Sequence, residues 1–182
     1  AFGLGKTVVD GGNTLRVVPK FPKKILQLSE PKLALRDTQK MMYALDLRPG
    51  SFKISKNEGV NLAHSQVADM LSEFPYPELV ASTFSSENNR MVPGVSVKGP
   101  RVISFDAILR YGKFPLAQFL KEILEICRNE LLCEVELEFA ADVIPSSKGQ
   151  EIVLKLLQVR PVGDYSDDAN FSTANIQETF TK

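Results

Sequence analysis

The sequence predicts an α+β fold in which a mostly antiparallel sheet carries one main helix packed on it. Strict alternation of apolar and acidic residues over 135–139 is typical of a strand with one buried face. An apolar segment over 152–160 follows a turn at 146–149, so the two segments form a predicted β-hairpin. An amphipathic helix predicted over 114–131 leads directly into this hairpin.

Length and charge limit the classes of function. The chain has 182 residues, enough for one domain or for a piece of a larger one. Its 22 basic residues balance its 22 acidic ones, no Lys/Arg run exceeds Lys23-Lys24, and Trp is absent, so we expect no nucleic-acid partner. No apolar run approaches a membrane span, so we expect no membrane partner either.

The two cysteines indicate the redox environment. Cys127 and Cys133 are separated by a spacing that fits neither a metal-ligand motif nor a disulfide framework. We therefore expect free thiols and a cytoplasmic location. The chain opens without Met and inside a motif, which we interpret as the start of an excised fragment.

The first half of the sequence predicts short elements separated by turns. Glycines in the first twelve residues favour either close approach of the backbone to a nucleotide or a tight turn into a strand. Short strands are predicted over 15–18, 25–28 and 52–55. Segment 31–47 is compatible with a helix or with irregular structure. A helix is predicted over 61–71; it contains His64, which has no neighbouring His or Cys and is not expected to be catalytic.

The second half predicts a meander followed by the main helix. The segment 79–84 is β-like, a polar turn follows at 85–89, and strands over 95–97 and 101–109 complete a predicted antiparallel meander. The helix over 114–131 carries an apolar stripe with i, i+3, i+4 spacing. This stripe consists of Leu116, Phe119, Leu120, Ile123 and Cys127.

The hairpin carries the candidate chemistry. Glu136 and Glu138 lie on one face of the first arm, and Gln158 and Arg160 lie two residues apart on the second. Carboxylates bind hard cations and Arg binds phosphate, so this set suits a site for magnesium and polyphosphate. An ordinary solvated hairpin face is the alternative, because exposed faces usually carry charge.

Two segments carry a resemblance to a known family. Glu-Leu-Glu-Phe at 136–139, followed by Leu-Gln-Val-Arg-Pro at 157–161, resembles the end of the ATP-grasp nucleotide-binding domain of the phosphoenolpyruvate synthase and pyruvate phosphate dikinase family. Gly-Leu-Gly-Lys-Thr-Val-Val-Asp-Gly at 3–11 is similar to the family's Gly-Leu-Gly-Glu-x-Val-Val-x-Gly. The matches lie at the two ends of the globular part, in the family's order, whereas the region 20–109 has no clear counterpart.

The resemblance implies specific roles for five residues. Glu138 and Gln158 would hold Mg²⁺, Gln158 and Arg160 would bind the phosphates of ATP, and Arg160 would also act catalytically by neutralising the transferred phosphoryl group. Gly3 and Gly5 would contact the nucleotide. Residues 1–163 would form the C-terminal part of an ATP-grasp-like domain, and 164–182 a flexible linker or tail.

The implied function is part of an ATP-dependent phosphotransferase. In the family, ATP phosphorylates a histidine on another domain, and pyruvate then receives the phosphoryl group. Pyruvate or another acceptor would be reached through other domains, and the fragment alone would be inactive. The alternative is a non-catalytic regulatory or interaction module on a degenerate ATP-grasp scaffold, which is favoured by Lys6 standing where the family has an acid. A cation cannot accept a hydrogen bond from a ribose hydroxyl.

The hairpin also allows a geometric expectation. Side chains on strands have period two, so Glu138 and Gln158 share a face if they pair about a centre at Lys148. Pro145 cannot donate to the ladder and is the predicted position of an edge or a bulge.

Overall fold

The computed structural model describes residues 1–147 and 149–162 of this chain. The helices are α1 Lys6–Val9, α2 Pro31–Asp37, α3 Val67–Glu73, α4 Pro77–Val80, α5 Asp106–Leu109 and α6 Leu116–Leu131. The strands are β1 Met41–Leu45, β2 Leu62–Gln66, β3 Ala81–Ser85, β4 Arg90–Pro93, β5 Arg101–Ile103, β6 Val135–Ser146 and β7 Gly149–Pro161. Two 3-10 helices lie at Leu26–Leu28 and Glu58–Asn61.

Three antiparallel sheets and the long helix α6 confirm the predicted α+β class. The strands β1 and β2 form one pair, β3 lies between β4 and β5 in the second sheet, and β6 pairs with β7. The predicted hairpin and the helix over 114–131 are both present. Cys127 and Cys133 are free thiols, as expected. The predicted linker at 164–182 and the hairpin centre at Lys148 lie outside the described residues.

The predicted meander is wrong in its strand order. β5 returns to pair with β3 rather than with β4, so Thr83 faces both Val92 and Arg101. The segment 95–97 is not a strand, and the predicted strand over 101–109 ends at Ile103 because α5 begins at Asp106. The region is antiparallel, but its central strand comes first in sequence.

The predicted strands over 15–18, 25–28 and 52–55 are wrong. The segment 25–28 contains the 3-10 helix Leu26–Leu28, and from it the side chain of Gln27 bonds the backbone near 15–18. Its Oε1 accepts from the Arg16 amide at 2.9 Å, and its Nε2 donates to the carbonyls of Thr14 at 2.9 Å and Asp37 at 3.1 Å. Side-chain bonds of this kind satisfy backbone groups without a ladder.

The predicted helix over 61–71 divides into a strand and a helix. Residues 62–66 pair with β1, and helix α3 starts only at Val67, whose amide donates to the Lys40 carbonyl at 2.8 Å. The strand partner at 41–45 overrides the local helical pattern, which is a common effect of tertiary pairing on short segments. His64 therefore lies on a strand, opposite Tyr43.

The hydrophobic core lies under the three-stranded sheet. Its buried members come from β1, α3, α4, β3, β5 and α5: Met42, Val67, Leu71, Leu79, Val80, Ala81, Ile103 and Ala107. Val143 of β6 packs against this cluster, and Gln150 of β7 donates to Glu78 at 3.2 Å. The distal part of the hairpin is therefore attached to the core.

A buried polar cluster crosses the same sheet. The hydroxyls of Ser82 and Ser104 are 2.7 Å apart, and Ser82 donates to Oδ2 of Asp106 at 3.1 Å. The other carboxylate oxygen has no hydrogen-bond partner in the described part of the chain and lies 3.7 Å from Nε of Arg110. Because the hydrogen-bonded groups come from β3, the β5–α5 connection and α5, the cluster joins elements that are distant in sequence.

Helix α6 lies beside the apolar face of the hairpin. A cavity of about 230 Å³ separates Phe119, Leu120 and Ile123 of the helix from the apolar side chains of the strands. Those side chains are Leu137, Phe139, Leu154 and Leu156. Three of the five residues of the predicted stripe thus face the sheet, and α6 has no fully buried residue.

We predict that Gly99→Ala destabilises the fold more than Gly50→Ala. Both glycines have positive φ, but a Cβ at position 99 would lie 2.0 Å from the Phe84 carbonyl oxygen, whereas position 50 is open. Urea unfolding should show a loss of about 1 kcal/mol for Gly50→Ala and at least about 2 kcal/mol for Gly99→Ala. Equal losses would contradict the close backbone contact.

Candidate functional site

The polar face of the hairpin is set by the register of β6 and β7. Glu136 lies opposite Arg160, and Glu138 lies directly opposite Gln158. Residues directly opposite in an antiparallel pair project from the same face. The structure therefore brings Glu138, Gln158 and Arg160 together, as the expected pairing required.

A β-bulge at Leu157 makes this arrangement possible. Glu138 pairs with Gln158 and the next residue, Phe139, pairs with Leu156, so Leu157 has no partner on β6. In a regular ladder continued from the turn, Gln158 would lie on the face of Leu137 and Phe139. The bulge absorbs one residue and places Gln158 on the acidic face.

Pro145 lies on an edge strand, which is one of its two predicted positions, and it is not at a bulge. Pro145 pairs with Gln150 in regular register, and the ladder continues to Ser146 opposite Gly149. The hairpin is a two-stranded sheet, so both of its strands are edges of that sheet. A proline is tolerated on an edge, because its missing amide can face away from the partner strand. The irregularity lies instead beside the candidate site.

Arg160 is held by Glu136. Its Nε and Nη2 atoms lie 2.8 Å and 2.6 Å from the same carboxylate oxygen. The side chains are 60% and 55% exposed, and exposed pairs of this kind stabilise by at most about 1 kcal/mol. Arg160 is thus oriented by its partner at low energetic cost, and its guanidinium remains accessible.

Glu138 and Gln158 have the oxygen ligands that suit Mg²⁺. Both side chains are exposed, and neither has a hydrogen bond or an ion pair within the described part of the chain. Among these residues no group of three His, Cys, Asp or Glu side chains is arranged to hold a metal ion. One carboxylate and one amide fit the sparse protein coordination typical of Mg²⁺, which keeps water and substrate phosphates as further ligands.

Gly3 and Gly5 lie on another part of the molecule, beside β1. Gly3 has φ +86°, and a Cβ there would lie 2.8 Å from both Met42 Cε and the Tyr43 carbonyl oxygen. The Leu4 amide donates to that same carbonyl at 2.9 Å. Close packing on β1 therefore explains the glycine at position 3, whereas a Cβ at Gly5 would meet open space.

A second polar cluster surrounds the helical turn that follows these glycines. Lys6 donates to Asp10 at 3.1 Å and lies 5.5 Å from the centroid of the Tyr43 ring. The Lys6 ammonium is the main reason that the pKa of the Asp10 carboxyl is lowered, with a further contribution from the Tyr43 hydroxyl. His64 stacks on Tyr43 with ring centroids 4.5 Å apart.

Beside this cluster is a cavity of about 300 Å³. Thr7, Asp10, Asn13, Lys40, Tyr43 and His64 contribute to its lining. No sequence motif marks Thr7, Asn13, Lys40 or Tyr43 as members of one site. Pairing of 41–45 with 62–66 is what places Tyr43 beside His64. The helical pattern of 61–71 hides this pairing in the sequence.

Comparisons with protein families, curated proteins and solved structures give no match for this chain. No helix in the described residues has the length and apolar character needed to cross a bilayer.

We predict that deletion of Leu157 is tolerated and that deletion of Val159 is not. Removing the bulged residue leaves Gln158 opposite Glu138 in a regular ladder. Removing Val159, which pairs with Leu137, would turn Arg160 onto the apolar face beside α6 if the bulge is kept, and Gln158 onto that face if the ladder becomes regular. Urea unfolding should show a change below about 1 kcal/mol for the first deletion and a loss above about 2 kcal/mol for the second.

The two deletions serve as controls for each other, since each removes one aliphatic residue from the same strand. A larger loss on deletion of Leu157 than on deletion of Val159 would contradict the assigned bulge.

Proposed function

We propose that this chain is part of an ATP-dependent phosphotransferase that resembles phosphoenolpyruvate synthase. The observation that carries the proposal is the convergence of Glu138, Gln158 and Arg160 on one exposed hairpin face. An acid, an amide and a guanidinium arranged in this way suit a metal-bound polyphosphate. The resemblance at 136–139 and 157–161 assigns the same three residues to that task.

The chemistry of phosphoryl transfer requires positioning and neutralisation of charge. Glu138 and Gln158 would hold Mg²⁺, which would supply positive charge to offset that of the phosphates. Glu138 would supply the anionic ligand, and Gln158 would orient the metal or a phosphate oxygen from the opposite strand. Arg160 would exchange part of its contact with Glu136 for a phosphate oxygen and neutralise the charge that develops there.

The phosphoryl acceptor in this proposal is pyruvate or another small molecule, reached through a histidine on another domain.

The exchange of partners at Arg160 is energetically accessible because its ion pair with Glu136 is exposed. Phosphate offers Arg160 a partner with more negative charge than one carboxylate. Glu136 therefore orients the Arg160 guanidinium until a phosphate of the nucleotide replaces it as the partner.

The second candidate is a non-catalytic regulatory or interaction module on a degenerate ATP-grasp scaffold. The observation in its favour is Lys6, which donates to Asp10 at the position where the family has an acid. A cation engaged in this way cannot accept a hydrogen bond from a nucleotide sugar. Under this alternative the chain would not bind Mg·ATP.

We predict that Arg160→Ala weakens binding of Mg·ATP by about 10- to 100-fold, which corresponds to the loss of one charge-assisted hydrogen bond. Isothermal titration calorimetry of the chain measures this directly. Arg90→Ala is the matched control, because Arg90 is also an exposed strand arginine but belongs to β4. Equal binding by the Arg160→Ala variant and the unmodified chain would overturn the site, and absence of Mg·ATP binding would favour the second candidate.

We predict the opposite effect for Glu136→Gln. This change removes the competing carboxylate from Arg160 and should tighten Mg·ATP binding by up to about fivefold, since the exposed pair is worth at most about 1 kcal/mol. The same titration measures it, with Asp142→Asn as a control that breaks the separate Lys155–Asp142 pair. Weaker binding by Glu136→Gln would mean that Glu136 itself holds the metal.

A further inference from the structure

The cavity beside β1 has the size of a small-molecule site. Its volume is about 300 Å³, at the lower end of the range for ligand pockets and enough for a single-ring compound. It is lined by residues of α1, of the segment after it, of the connection that precedes β1, and of β1 and β2. It is separate in sequence from the hairpin that carries the proposed phosphate site.

The charges at the cavity favour an anionic occupant. Lys40 forms no ion pair within the described residues, and partial burial lowers the pKa of its ammonium group. The acid at the cavity, Asp10, is already engaged by Lys6. A partly desolvated ammonium without a counter-charge is stabilised by an anion brought close to it.

A buried hydroxyl provides an independent indication of a ligand. Thr7 is 6% exposed, lines the cavity, and its Oγ1 has no hydrogen-bond partner among the described residues. Buried polar atoms without partners are rare in folded proteins, because each leaves its desolvation uncompensated. An oxygen atom of a ligand would provide the missing partner.

One wall of the cavity is aromatic. The rings of Tyr43 and His64 are stacked, with their planes inclined by 18°, and the His64 side chain is exposed. Offset stacking of a further planar ring on such a pair is favourable. Asn13, which also lines the cavity and forms no hydrogen bond in the described structure, adds an amide that can bind a polar substituent.

From these observations we propose that the cavity binds a small anion built on a single planar ring. The ring stacks against the Tyr43–His64 wall, the anionic group lies at Lys40, and one of its oxygens accepts from the Thr7 hydroxyl. This site is independent of the phosphate site proposed on the hairpin.

His64 makes the proposal directly testable, since it is the only histidine in the chain. Its ring C–H signals in NMR spectra at constant pH report on the cavity without ambiguity. The probes are phenyl phosphate and benzoate, which distinguish a phosphate from a carboxylate, with inorganic phosphate and phenol as the separated parts. At least one ring-bearing anion should shift the His64 signals saturably and bind at least tenfold more tightly than either part.

Variants locate the interaction. Lys40→Gln should weaken binding of the ring-bearing anion at least tenfold and Thr7→Val by a smaller factor, whereas Thr7→Ser should retain it. Lys32→Gln is the matched control, an exposed lysine on α2 outside the cavity. Arg160→Ala should also leave this binding unchanged, so failure of the hairpin site and failure of the cavity site are separate results.

Three results would overturn the proposal. They are failure of both phenyl phosphate and benzoate to bind more tightly than inorganic phosphate and phenol, absence of any saturable shift at His64, and unchanged affinity in Lys40→Gln. Thermal unfolding of each variant shows whether the fold is retained, and Thr7→Ser maintains the test if Thr7→Val does not fold.

Discussion

The ladder between β6 and β7 is the constraint on which the candidate site depends. Side chains on a strand alternate between two faces, so one residue too many on one arm moves every later side chain to the other face. Leu157 is that extra residue. Because it is bulged and pairs with no residue of β6, the residues on either side of it keep the alternation of faces set by β6. Gln158 and Arg160 then share a face with the acids of β6, while Leu154 and Leu156 remain toward α6.

The site so formed is polar, exposed and weakly coupled internally. The ion pair between Glu136 and Arg160 orients the guanidinium without burying it, and Glu138 and Gln158 face each other without a direct bond. Because the side chains of this face make few contacts with one another, most of their interactions would form only with a ligand. The cavity beside β1 differs, because the hydroxyl of its lining residue Thr7 is buried and has no hydrogen-bond partner among the described residues.

The sequence predicted the strongly periodic elements well and the short ones poorly. The helix at 116–131 and both hairpin arms follow from patterns long enough to exclude the alternatives. The short segments at 15–18 and 25–28 have strand-like composition, but the Arg16 amide is bonded by the Gln27 side chain and Leu26–Leu28 forms a 3-10 helix, neither of which local composition reveals. The same limit applies to 62–66, whose conformation depends on pairing with β1.

The candidate site was predictable in its membership but not in its geometry. Alternation alone places Glu136 and Glu138 on one face, yet the position of the bulge depends on how both arms meet the helix and the core. The cavity residues could not be found from sequence, because Thr7 lies on α1, Lys40 precedes β1 and His64 lies on β2, and only the fold brings them together.

The attachment of the hairpin at both ends has a mechanical consequence. Near its tip, Val143 packs on the core and Gln150 bonds to Glu78; at its base, Val135 is buried. A hairpin that is held near its tip and at its base bends less in between. Glu138 and Gln158 lie on this span, so their separation is set by the backbone, and occupancy of the face would be accommodated by side-chain rotation.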